Sequence, residues 1–289
     1  MINSSKEVAS NYVNVGVGKC NLPAGKAIVL GILAGMFIGL AGLGATTAAV
    51  SIKLASVAKF VGACIFPAGL IMVVIAGSEL FTGNCLLIIP ALEHKITVKQ
   101  LCRNWVLVYL GNFIGGLIVA AGAVFSHQAS LFDNGMAVSM ISTAVAKCSM
   151  PFGDALIKGI FCNFLVCIAV WLGMAAKDAA GKVLGIFWPI MLFVLCGFEH
   201  SIANMYYIGA GLFANGINAY AEAAAAAGID TAALTWGNFF AANLLPVTIG
   251  NIIGGFMVGI AYWYANLRGG KTETKRETVR NYVQEKLGK

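Results

Sequence analysis

The sequence predicts an all-α, polytopic membrane protein. Its composition, the lengths of its apolar runs and the placement of its basic residues carry that prediction. Of 289 residues, 59% are hydrophobic and only 11% are Asp, Glu, Lys or Arg, less than half the roughly 25% of a soluble domain. A spanning helix needs about 20 apolar residues, and runs of that length recur between short polar patches. Gly numbers 35, roughly 12% against a usual figure near 7%. Small residues let transmembrane helices approach closely, so tight helix packing is expected.

Taken in order, residues 1–26 form an N-terminal segment, 27–267 a single transmembrane domain and 268–289 a basic tail. Met1 to Pro23 lacks the basic-then-apolar pattern of a cleaved signal peptide, so the first span is expected to serve as its own insertion signal. Apolar runs lie at about 27–50, 57–91, 104–125, 155–176, 183–214 and 239–265, which gives six spans. Two are oversized. The 35 residues from Val57 would reach about 52 Å as a helix and the 32 from Val183 about 48 Å, against a hydrocarbon core of about 30 Å. The second and fifth spans must therefore be broken or bent.

Six spans bring both termini to one side. On that side fall Lys6, Lys19, Lys26, Lys95, Lys99, Arg103, Lys177, Lys182 and the basic residues of the tail, whereas the other holds Lys53, Lys59, Lys147 and Lys158. The positive-inside rule then places both termini in the cytoplasm. The net charge of +7 is thus a topology signal rather than a nucleic-acid footprint, and Lys271 to Lys289 reads as a solvated amphipathic helix. The eight cysteines show no CxxC or Cys/His ligand spacing, and they read as small packing residues.

The chain also repeats itself. Gly77-Ser78-Glu79-Leu80-Phe81-Thr82-Gly83-Asn84 and Gly197-Phe198-Glu199-His200-Ser201-Ile202-Ala203-Asn204 share G-x-E-x4-N, and further on Asn104 to Gly116 and Asn243 to Gly255 share N-x6-G-N-x-I-G-G. Two matches in the same order argue for duplication, with units at about 26–125 and 155–265. Each unit holds three spans, so the second copy enters the membrane in the opposite direction. Inverted repeats place their permeation site near the midplane, at discontinuous helices in corresponding positions of the two halves. Here those are Gly77 to Asn84 and Gly197 to Asn204.

Of the acids and histidines, only Glu79, Glu199 and His200 fall within spans, all in the two expected breaks. An intramembrane ionisable group is a functional candidate by default. Glu79 and Glu199 occupy equivalent positions, where a carboxylate would either hold backbone groups freed by the break or form a proton path. His200 faces Leu80 across the repeat, so the one residue that titrates near neutral pH breaks the symmetry. Thr82 has two readings, a hydroxyl offered to an ion or to His200, and a local cap. Phe66 and Leu70, spaced i and i+4, and Phe193, one turn before Gly197, are core or pore-lining. Lys147 and Lys158 are vestibule cations or interfacial anchors.

These residues resemble a known family. Ala76 to Gly83 (AGSELFTG), Gly197 to Met205 (GFEHSIANM) and Asn243 to Gly255 (NLLPVTIGNIIGG) look like signature segments of the formate/nitrite transporter family, and the likeness covers all six spans. It implies an aquaporin-like fold in a prokaryotic cytoplasmic membrane, a homopentamer with one pore per subunit, and selectivity for small monovalent anions such as formate, nitrite, hydrosulfide or acetate. Carried over by residue, it implies a central pore histidine at His200 and a gating-loop threonine at Thr82. Phe66, Leu70, Leu80, Phe81 and Phe193 match the apolar constrictions. Asn163, Asn204 and Glu199 match polar residues that orient the histidine or hold the broken helix, and Lys147 matches a vestibule lysine.

The expected function is pH-dependent passage of a small anion, formate first, with proton coupling through His200. A water or neutral-solute channel is the alternative that the implied fold alone permits. No metal-ligand spacing, nucleotide loop or nucleophile with its base appears, so neither an enzyme nor a metal or cofactor is expected.

Overall fold

The computed structural model describes residues 2–269, so the tail from Lys271 lies outside the described residues. The regular structure among them is helical, with one isolated bridge between Ile2 and Ala176. The chain begins with α1 (Ser5–Cys20), whose first turn is closed by a capping box between Ser4 and Glu7. It buries Val8, Ala9, Tyr12 and Val13 against the domain. After Pro23, α2 (Ala24–Ala49) is the first long apolar helix. Then come α3 (Ala55–Ile65) and α4 (Ala68–Ala76), with Phe66 and Pro67 between them.

The expected break follows. Gly77 takes a φ of 80°, a left-handed conformation that costs glycine nothing and ends the helix. A 3₁₀ turn at Gly83–Leu87 and the short α5 (Ile88–Leu92) complete this segment before α6 (Val98–Phe125). The second series runs α7 (Gly135–Cys148), α8 (Phe152–Ala175), α9 (Ala179–Leu195) and α10 (Ser201–Asn215). Gly197, with a φ of 71°, stands in the break between α9 and α10 as Gly77 does after α4. Helix resumes at Ser201, so this break is shorter than the expected 197–204. The chain closes with α11 (Asn218–Ala226), the short α12 (Trp236–Asn238), a π-helical turn at Phe239–Leu244 and α13 (Leu245–Asn266).

Five stretches among the described residues are long and apolar enough to cross a membrane: Ala24–Ala49, Ala55–Ala76, Val98–Phe125, Phe152–Ala175 and Trp236–Asn266. The run expected at 183–214 is delivered instead as two shorter pieces, α9 with 17 residues and α10 with 15. Helix α7 was not among the expected spans. Ser139, Ser142, Thr143 and Lys147 interrupt its apolar character.

The glycines of the N-x6-G-N-x-I-G-G motif explain how the long helices pack. A Cβ on Gly115 of α6 would collide with the Ile32 carbonyl of α2, and one on Gly254 of α13 with the Ile160 carbonyl of α8. In both pairs the backbones meet without side chains between them. That close approach brings the motif asparagines, Asn112 and Asn251, within reach of carbonyls on the neighbouring helix.

Candidate pore site

Each break is held by a set of buried polar contacts, and the two sets correspond residue for residue. In the first, the Asn112 amide nitrogen donates to the carbonyls of Gly31 and Glu79 at 2.8 and 2.9 Å, while its oxygen accepts from the Phe81 N–H at 2.9 Å. In the second, Asn251 donates to Gly159 and Glu199 at 2.8 and 3.0 Å and accepts from the Ser201 N–H at 2.9 Å. These bonds satisfy backbone groups that a broken helix leaves orphaned, and such groups are costly to bury unpaired. Glu79 accepts from Asn84, which also donates to Asn104; Glu199 accepts from Asn204, which donates to Asn243.

A lysine completes each set. Lys147 Nζ lies 2.8 Å from Glu199 Oε1 and 2.9 Å from Oε2, and Lys19 Nζ lies 2.8 Å from Glu79 Oε1. Asn104 donates to the Lys19 carbonyl and Asn243 to the Lys147 carbonyl. The correspondence therefore reaches beyond the units 26–125 and 155–265 read from the apolar runs, taking in α1 and α7. Lys19 was not foreseen as a site residue. A signal was present: Lys19 to Gly25 and Lys147 to Gly153 share K-C-x-x-P-x-G, a match that lies outside the apolar spans.

A cavity adjoins each set. The larger, about 520 Å³, is lined by Phe66, Lys147, Phe193, Glu199, His200 and Asn204, among others. The smaller, about 250 Å³, is lined by Tyr12, Lys19, Leu70, Glu79 and Leu80 among others. The Phe66 and Phe193 rings meet edge to face with centroids 5.7 Å apart, and Phe193 stacks on the His200 ring at 5.9 Å. Of the apolar residues expected at constrictions, Phe66 and Phe193 thus belong to one cavity, and Leu70 and Leu80 to the other.

Phe81 departs from the expectation. It lines neither cavity, and its ring packs edge to face on Tyr109 and Trp105, with centroids 4.9 and 5.7 Å away. The cause is local. The bond from its N–H to Asn112 fixes the backbone beside α6, where the aromatic side chains of that helix receive it.

His200 and Thr82 join the two breaks. Thr82 Oγ1 lies 2.9 Å from His200 Nε2, and both residues are buried. The other ring nitrogen, Nδ1, accepts from the Ala203 N–H at 3.0 Å, so the histidine side chain caps α10. An atom that accepts carries no proton, which assigns the neutral ring's hydrogen to Nε2. Nε2–H then donates to Thr82 Oγ1 and leaves the threonine hydroxyl hydrogen for another acceptor. Among the described residues Asn163 makes no hydrogen bond to the histidine; its amide nitrogen donates to the carbonyls of Thr82 and Asn251 at 3.1 and 2.6 Å and so ties the first break to the asparagine that holds the second.

A buried histidine–threonine contact that joins two helix breaks, each with a cavity beside it, among apolar helices of spanning length, fits a membrane transport protein for small solutes. Comparison with known proteins makes this specific. The chain belongs to the formate/nitrite transporter family, whose model matches residues 6–264, and it is a multi-pass integral membrane protein. It is 42% identical over 270 residues to an uncharacterized transporter, YrhG, of Bacillus subtilis, covering 90% of this chain and 92% of that one. It is 38% identical over 253 residues to the formate channel FocA of Haemophilus influenzae, covering 86% and 89%. Among solved structures, a pentameric formate channel with formate bound superposes with a TM-score of 0.75 at 34% identity, covering 85% of this chain and 98% of that one.

Proposed function

We propose that this chain is a pH-dependent channel or transporter for small monovalent anions, formate foremost, working as a homopentamer with one pore per subunit. In this reading six crossings form an aquaporin-like inverted repeat of three and three, with both termini in the cytoplasm. The observation that carries the proposal is the His200–Thr82 contact, which joins two breaks whose neighbouring cavities are each lined by an apolar pair, Phe66 with Phe193 and Leu70 with Leu80. Similarity to proteins named as formate channels supports formate as the first substrate.

The physical problem is a charged ion crossing two apolar constrictions, where an unpaired charge in low dielectric is very costly. The Thr82 hydroxyl, freed by the donation from His200 Nε2–H, offers the anion a hydrogen bond where the two breaks meet. A proton supplied by solvent makes the anion a neutral acid, which passes the apolar rings far more cheaply. His200 carries the pH dependence. Protonation at Nδ1 removes the acceptor of the Ala203 N–H, so proton coupling through this ring entails a rearrangement at the start of α10.

The test is flux into liposomes containing a pH-sensitive dye, with equal inward gradients of formate, nitrite, hydrosulfide and acetate at pH 7 and pH 5. Formate is expected to give the fastest response. Faster nitrite or hydrosulfide entry would move the substrate within the family, and water passage with no anion flux would overturn the proposal.

A further inference from the structure

We infer that Lys59, and not Lys147, is the group that gathers anions at the larger cavity, an inference that rests on the anion-transport reading above. Three charged residues line that cavity: Lys59, Lys147 and Glu199. Lys147 is spent on Glu199, both of whose carboxylate oxygens it contacts, and the pair is close to neutral at a distance. Lys59 has no carboxylate within ion-pair distance among the described residues. One positive charge is therefore left over.

Its placement suits capture. Lys59 and Phe66 both line the larger cavity from one face of the α3 segment, spaced i and i+7. That separation is about 10 Å along the helix. The ammonium also reaches the second break, lying 3.8 Å from where a Cβ on Gly197 would sit. Helix α7 contributes Ser139, Thr143 and Lys147 at successive turns to the same cavity, so hydroxyl donors line it together with the free cation. An ion held here stands on the approach to the Phe66–Phe193 pair.

The smaller cavity has no equivalent. Its charged lining is Lys19 and Glu79, which pair with each other. In the register that equates Gly77 with Gly197, the position matching Lys59 is Ala179. The linings of the two cavities thus differ by one uncompensated charge, and a charge at a cleft raises the local concentration of its counter-ion.

The test compares Lys59→Met, Lys59→Arg and Lys147→Met with the wild type in the liposome flux assay, measured against formate concentration at low and high ionic strength. Lys59→Met is expected to raise KM about threefold to tenfold at low salt, at the lower end of charge-lined clefts, with the maximal rate near wild type. Lys59→Arg is expected to keep the low KM. The difference should vanish near 1 M salt, where the Debye length falls to about 3 Å. Lys147→Met is expected to lower the thermal stability of the solubilised protein. An unchanged KM in Lys59→Met, or a salt-independent loss of maximal rate, would overturn the inference while wild-type flux left the transport reading intact. Lys59→Gln, a second neutral variant, answers the same question should the methionine variant fail to assemble. Absence of formate flux in the wild type would count against the transport reading first.

Discussion

Glu79 and Glu199 sit among the same partners, one with Lys19, Asn84 and Asn104, the other with Lys147, Asn204 and Asn243. The residue after each, however, is Leu80 in the first half and His200 in the second. The partners that repeat are those that satisfy broken backbone and bury a charge safely. What does not repeat is the titratable ring and the threonine it touches. Duplicated contacts are therefore the scaffold, and the departure from duplication marks the chemistry. Of the two readings of the glutamates, the scaffold is the one that the bonds of Asn84 and Asn204 favour.

The most severe way to break the comparison is to remove one charge of a pair. Glu79→Leu and Glu199→Leu each leave a largely buried lysine unpaired, and losing one partner of a buried pair costs about 3–5 kcal/mol. The two variants are expected to lower the melting temperature of the detergent-solubilised protein by similar amounts. A large loss in one and none in the other would mean that the halves are alike in geometry but not in energy.

A smaller effect sharpens the comparison at the leading helices. Helix α1 is closed by Ser4 and Glu7, whereas α7 begins at Asn134 without a side-chain cap. The hydrogen bonds from Ser4 hold the Glu7 carboxyl below the usual carboxylate range, with Lys177 adding to the effect. A carboxyl whose folded value is depressed stabilises above its unfolded pKa, near 4.5, and loses that contribution as pH falls through the folded value. Hydrogen exchange, corrected for intrinsic rates, is expected to show the first turn of α1 loosening below about pH 4, with no matching change at α7. Glu7→Gln, which still offers an oxygen to the Ser4 N–H but does not titrate, should abolish the difference.

Much of this was legible in the sequence because the constraints are strong. A bilayer leaves little choice but long apolar helices, and two oversized runs had to break. They break at Gly77 and Gly197, the glycines of the G-x-E-x4-N motif, because both positions need a left-handed backbone. The pairing of His200 with Thr82 was open among alternatives, since residues 118 apart meet only through the packing of both halves. Lys19 was missed because α1 is too polar to register as a span and its role depends on a partner 60 residues away. Phe81 was misplaced because its neighbours on either side, Leu80 and Thr82, do face the site. In irregular backbone, no period tells which way a side chain turns. The free charge of Lys59 emerged only once Lys147 was found paired.

The most direct test of the division between scaffold and chemistry is the pH dependence of formate flux in His200→Asn, measured in liposomes from pH 7 to pH 5 alongside the wild type. Asparagine is a strong N-cap residue, so α10 keeps its start while the titrating ring is lost. The expected result is a variant as thermally stable as the wild type, whose flux no longer responds to pH as the wild type's does. The same pH response in both proteins would contradict the assignment of the chemistry to His200.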